Sequence, residues 1–99
     1  MQIEGNVFLV SGGASGLGAA SAQMLIDAGA RVMLIDVNAQ ALDRQLQNLG
    51  ANARASVTDI TDESAARAAV EKAMAEFGQV NGLINCAGIV GAEKILGKE

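Results

Sequence analysis

Residues 11–18 read SGGASGLG and follow directly on the apolar run Val7–Val10. Four glycines in eight residues, between a strand-like run and a helical pattern, make either a tight turn or a phosphate cradle. At a strand-to-helix junction the free N–H groups of the first helical turn and the positive end of the helix dipole point at the same spot. Glycine lets the backbone come close to a ligand and take conformations closed to other residues. The spacing Gly12, Gly16, Gly18 is G-x3-G-x-G, not the G-x-G-x-x-G of the general dinucleotide fingerprint.

Working outward, four short runs read as strands: Val7–Val10, Arg31–Asp36, Ala53–Val57 and Gly82–Asn85. The first two lack polar alternation, as strands buried on both faces do. Three helical patterns lie between them. Leu17, Ala20, Ser21, Met24, Leu25 and Ala28 share one apolar face at helical spacing in the first, and Leu42, Leu46 and Leu49 form a stripe in the second. Ala66, Ala69, Val70, Ala73, Met74 and Phe77 do so in the third. Gly29, Gly50 and Gly78 follow the last periodic residues, where a left-handed cap is expected. Asn38 and Thr61 are the expected N-caps of the second and third helices. Strands alternating with helices imply an α/β fold. The expected form is a three-layer αβα, Rossmann-like parallel sheet with strand order 3-2-1-4.

Asp36 ends the second strand, close to the position at which an acid grips the adenosine ribose in such folds. Loop and acid in one βαβ unit point together to a dinucleotide. The formal net charge of −4, without a basic run, argues against nucleic acid or an anionic membrane surface as partner. No apolar run approaches the roughly 20 residues of a membrane span. Cys86 is the only cysteine, which fits a reducing compartment, and a cytoplasmic chain is expected. No metal-ligand pattern is present.

With the loop, Asp36, Asp59-Ile60-Thr61 and Asn85-Cys86-Ala87-Gly88 in order, the sequence resembles the short-chain dehydrogenases/reductases. Ser11 stands for that family's usual Thr, and Cys86 for the second Asn of its N-N-A-G. The resemblance implies NAD as cofactor. Ser15 and Leu17 would meet the pyrophosphate and nicotinamide side, beside Gly12, Gly16 and Gly18. Asp36 would bind the adenosine ribose, and Asp59 and Ile60 the adenine. Cys86, Ala87 and Gly88 would line the path to the nicotinamide through their backbone. Asn85 is read instead as a tie between neighbouring strands. With uncharged Ser15 and Val37 where a base would offset a 2′-phosphate, NAD is expected over NADP.

The family's activity is hydride transfer between NAD and a secondary alcohol or ketone. Its catalytic tyrosine and lysine have no counterpart here: the chain contains no tyrosine and no histidine, so no catalytic residue is assigned. The expectation is therefore that residues 1–99 are the NAD-binding N-terminal half of one Rossmann-type domain, truncated after the fourth strand and inactive alone. The stretch INCAGIVGAEKILGKE is similar to bacterial type 2 3-hydroxyacyl-CoA dehydrogenases, which implies an acyl-CoA substrate. An open fourth-strand edge and homo-oligomerisation are also expected. A non-catalytic dinucleotide-binding fragment and an S-adenosylmethionine-dependent methyltransferase are the alternatives; the loop spacing and N-C-A-G disfavour the latter.

Overall fold

The computed structural model describes residues 3–86. The order is β1 (Val7–Ser11), α1 (Gly16–Asp27), β2 (Arg31–Asp36), α2 (Ala39–Leu49), a 3-10 turn (Gly50–Asn52), β3 (Ala53–Val57), α3 (Glu63–Phe77) and β4 (Gly82–Asn85). The four strands form one parallel sheet in the order β3-β2-β1-β4. Strand boundaries match the expected ones, with β1 extended by Ser11.

The lack of polar alternation in β1 and β2 has its cause in two separate cores. Phe8, Val10, Val32 and Leu34 point to one face and pack with Ala22 and Leu25 of α1 and Leu42 and Leu49 of α2. Leu9, Met33 and Ile35 point to the other, against Ala69 and Ala73 of α3. Each fully buried side chain of this size contributes about 1.5–3 kcal/mol. The small alanines let the helices sit close to the sheet. At the end of α3 the Phe77 ring has two guanidiniums over it, Arg31 at 5.1 Å and Arg54 at 5.8 Å from its centroid. Arg54 Nε also pairs with Glu76 at 3.3 Å.

Three local expectations are corrected. Leu17 and Met24 are 66% and 72% exposed, and the buried stripe of α1 is Gly18, Ala22 and Leu25. The close approach of Gly18 to the glycine loop sets the rotation of the helix. The N-cap of α3 is Asp62, accepting from the Ala65 amide at 3.2 Å, not Thr61. Thr61 turns back instead to Asp59, to which its amide and hydroxyl both donate. Gly78 adopts the left-handed cap (φ 83°, ψ −5°), whereas Gly50 (φ 83°, ψ −153°) leads into the 3-10 turn. Asn38 caps α2 as expected, accepting from Ala41 N at 3.0 Å.

Among the described residues β4 has β1 as its sheet neighbour and lies at the sheet edge. Beside it a groove of about 330 Å³ is lined by Ile3, Ser21, Met24, Leu25, Ala28 and Ile84. No helix among the described residues is long and apolar enough to cross a membrane.

Candidate cofactor site

The register brings Ser11, Ile35 and Asn85 level at the C-terminal ends of three adjacent strands. The glycine loop leaves the sheet there. Gly12 has φ of 70°, in the left-handed region that a side chain disfavours. Its carbonyl accepts from both the amide and the hydroxyl of Ser15, at 2.9 and 2.7 Å. Ser15 Oγ in turn accepts from the Gly18 amide at 3.0 Å and caps α1. A Cβ on Gly18 would stand 2.1 Å from the Gly12 carbonyl oxygen, so only glycine lets the helix start this close to the loop. A Cβ on Gly16 would meet nothing within 4 Å, so the space over that residue is open. Gly16 and Leu17, in the first turn, have no carbonyl four residues back within the helix for their amides. The loop is thus built shut on its sheet side and open on its outer side, which suits a diphosphate.

Asp36 faces this mouth. Its Oδ2 accepts from the Ala14 amide at 3.0 Å and its Oδ1 from the Asn38 amide at 3.1 Å. The carboxylate therefore links the loop to the N-terminus of α2. Each carboxylate oxygen can accept more than one hydrogen bond, so capacity remains for a ribose diol. Next to it a cavity of about 220 Å³ is lined by Gly12, Ile35, Asp36, Val37, Thr58, Asp59 and Ile60. Asp59 Oδ1 accepts from Thr61 Oγ1 at 2.5 Å and Thr61 N at 2.9 Å. These bonds, the hydroxyl's first, hold the Asp59 carboxyl below the usual carboxylate range against a weaker upward push from desolvation. Asp59 is therefore ionised at neutral pH and able to accept from an amino group.

At the other end of the loop Ser11 is fully buried, and its hydroxyl donates to Asn85 Oδ1 at 2.8 Å. The Cys86 amide donates to the Ser11 carbonyl at 3.1 Å, and the half-buried Cys86 Sγ lies 3.7 Å from Ser21 Oγ. Asn85 thus ties β4 to β1. The structure brings Gly12, Ser15, Gly16, Leu17, Gly18, Asp36, Asp59, Ile60 and Cys86 to the same edge of the sheet. Ala87 and Gly88 lie outside the described residues.

Two residues were missed by motif spacing. Thr58 lines the cavity, its hydroxyl 2.6 Å from that of Ser56. Its place before Asp59 was the available signal. Gly13 is buried against β2, and the doubled glycine at 12–13 was the clue.

The family described as short chain dehydrogenase matches residues 6–98. The 3-hydroxyacyl-CoA dehydrogenase type-2 of Bos taurus is 39% identical over 92 residues, covering 93% of this chain and 35% of that protein. The solved 3-ketoacyl-(acyl-carrier-protein) reductase from Brucella melitensis, complexed with NADH, superposes with a TM-score of 0.79 at 36% identity. That match covers 82% of this chain and 34% of the other. A short chain dehydrogenase/reductase from Burkholderia phymatum in complex with NAD gives a TM-score of 0.80 at 30% identity, over 84% and 31% of the two chains. The chain spans about a third of the length of the relatives it matches. By sequence, fold and the placement of its glycine loop, this chain belongs to the short-chain dehydrogenase family.

Proposed function

We propose that residues 1–99 form the NAD-binding part of an oxidoreductase that moves a hydride between NAD and a secondary alcohol or ketone. The observation that carries this reading is the Asp36 carboxylate held 3.0 Å from the Ala14 amide, which sets the acid proposed for the ribose beside the loop proposed for the phosphates. The pattern of glycines fits the cofactor: Gly16 leaves open space where a Cβ would intrude on a bound group. Gly16 and Leu17 would face the diphosphate, Asp36 the ribose hydroxyls, and Asp59 with Ile60 the adenine. Bound NAD supplies the hydride acceptor; this chain's residues bind and orient it.

NAD is favoured over NADP. A 2′-phosphate about 4 Å from Asp36 would cost on the order of 4 kcal/mol at an effective dielectric near 20, before screening by solvent. Neither Ser15 nor Val37 carries a charge to offset it. The substrate class proposed for the whole protein is a 3-hydroxyacyl-CoA, on the likeness to the bovine relative. The whole protein is proposed to be cytoplasmic and homo-oligomeric.

The absence of tyrosine and histidine from these residues supports a second reading, a dinucleotide-binding module without turnover. Titration with NAD, NADP and S-adenosylmethionine separates the dinucleotide readings from a methyltransferase, and an assay of the whole protein for reduction of NAD by a 3-hydroxyacyl-CoA separates the first reading from the second. Binding of NAD at least tenfold tighter than NADP, without turnover by the 99-residue chain, is expected. Preference for S-adenosylmethionine would refute the dehydrogenase reading.

A further inference from the structure

Among the described residues β3 lies at the sheet edge opposite β4, with β2 as its neighbour. An edge strand offers a row of amides and carbonyls to any strand that can reach it. The Thr58 amide donates to the Asp36 carbonyl at 2.8 Å, toward β2. Backbone groups of successive strand residues face opposite sides. Ser56 and Arg54 therefore turn theirs to β2, and Ala53, Ala55 and Val57 turn theirs outward. Side chains and the preceding turn occupy part of that outward row. The Ala53 amide donates to the Gly50 carbonyl. Arg54 Nη1 donates to the Ala53 carbonyl at 2.9 Å and to that of Ala51 at 2.8 Å. Lys72 Nζ reaches across from α3 and donates to the Ala55 carbonyl at 2.8 Å. Glu76, one turn beyond Lys72, holds the Arg54 guanidinium at 3.3 Å. Helix α3 thus lays one cation on the β3 edge and steers the other.

We infer that Lys72, with Arg54 ahead of it, closes the β3 edge to a strand from a second copy of this chain. A pairing strand needs the Ala55 carbonyl for its own amide. It must displace the ammonium to get it, and it leaves a charge beside the new contact. β4 itself carries no lysine or arginine. The two edges of the sheet are therefore unequal, and backbone pairing between copies is confined to the β4 side. The cofactor mouth takes no part in this, so failure of the edge device leaves the dinucleotide reading intact.

The test uses the 99-residue chain carrying Ile84→Lys, which keeps β4 from contributing, with Lys72→Met or Lys72→Arg added. Lys72 is exposed, so the fold does not depend on it. Methionine keeps an unbranched stem and removes the donor; arginine keeps a donor. Taking one positive charge from an acidic chain by itself opposes association. Lys72→Met is nonetheless expected to dimerise at a concentration at least tenfold lower than the reference chain in sedimentation velocity, the scale of one hydrogen bond from a charged group. Amide exchange at Ala55 and Val57, whose N–H groups face outward, is expected to slow as that variant is concentrated. Lys72→Arg is expected to match the reference in both measurements. Unchanged association in Lys72→Met, or equal association in Lys72→Arg, would overturn the inference. So would association that leaves Ala55 and Val57 exchange unchanged, because it would run through another surface. Association with lost protection at Leu34 would mark unfolding and overturn it too. Should Ile84→Lys not fold, the Lys72 substitutions are made in the wild-type chain and read by Ala55 and Val57 exchange, which pairing at β4 does not slow.

Discussion

Asp59 and Thr61 show how a single residue pair favours the charged form of a carboxylate. Both hydrogen bonds from Thr61 go to one oxygen of the carboxylate and favour its charged form. A carboxyl whose folded pKa is depressed contributes stability that is present above its unfolded value, about 3.9, and is lost as pH falls through the folded value. Replacing Thr61 by Val deletes the stronger of the two bonds. The Asp59 pKa, followed by NMR titration of its carboxyl carbon, is expected to rise toward the ordinary value in Thr61→Val. An unchanged titration would show that Thr61 does not set it. Gly18 makes the opposite kind of demand. With the Gly12 carbonyl oxygen 2.1 Å from its would-be Cβ, Gly18→Ala must push helix and loop apart. NAD affinity is expected to fall at least tenfold in that variant, read by calorimetry at a temperature where the variant is folded.

At the level of elements, the caps and cores are the testable parts. Asp62→Ala removes the side chain that accepts from the Ala65 amide at the start of α3, and is expected to cost about 1 kcal/mol in urea unfolding. Met33→Ala opens a hole between β2 and α3 where burial is complete, and about 2–5 kcal/mol is expected. If the first cost nothing, the cap seen at Asp62 would not be formed in solution. Strand positions, parallel order and the pairing of glycine loop with Asp36 were legible in the sequence, because unbroken apolar runs and glycine spacing report local geometry. The rotation of α1 was not. A periodic stripe containing Leu17 and Met24 looks buried by hydropathy, but the steric closeness of Gly18 to Gly12 turns those two outward. Nor was the α3 cap legible, since Thr61 and Asp62 are both capping residues and only the Asp59 turn decides between them.

For the whole molecule, the sheet edge and the cofactor mouth make separate demands. The β4 segment Gly82–Asn85 carries no proline or lysine, devices that keep edge strands from pairing. With Ile84 half-buried beside an apolar groove and Leu83 half-buried on the opposite face, concentration-dependent association of the 99-residue chain is expected in sedimentation velocity. Ile84→Lys is expected to shift it toward monomer; a wild-type chain that stays monomeric at high concentration would contradict this. The mouth is tested by ligand. Asp36 and the glycine loop are proposed to act on one molecule, and the most direct measurement is a calorimetric titration of NAD into the wild-type chain and into Asp36→Ala. Saturable binding by the wild type, weakened at least tenfold in the variant, is the predicted result. Absence of binding by the wild type, or equal affinity in the two, would contradict it.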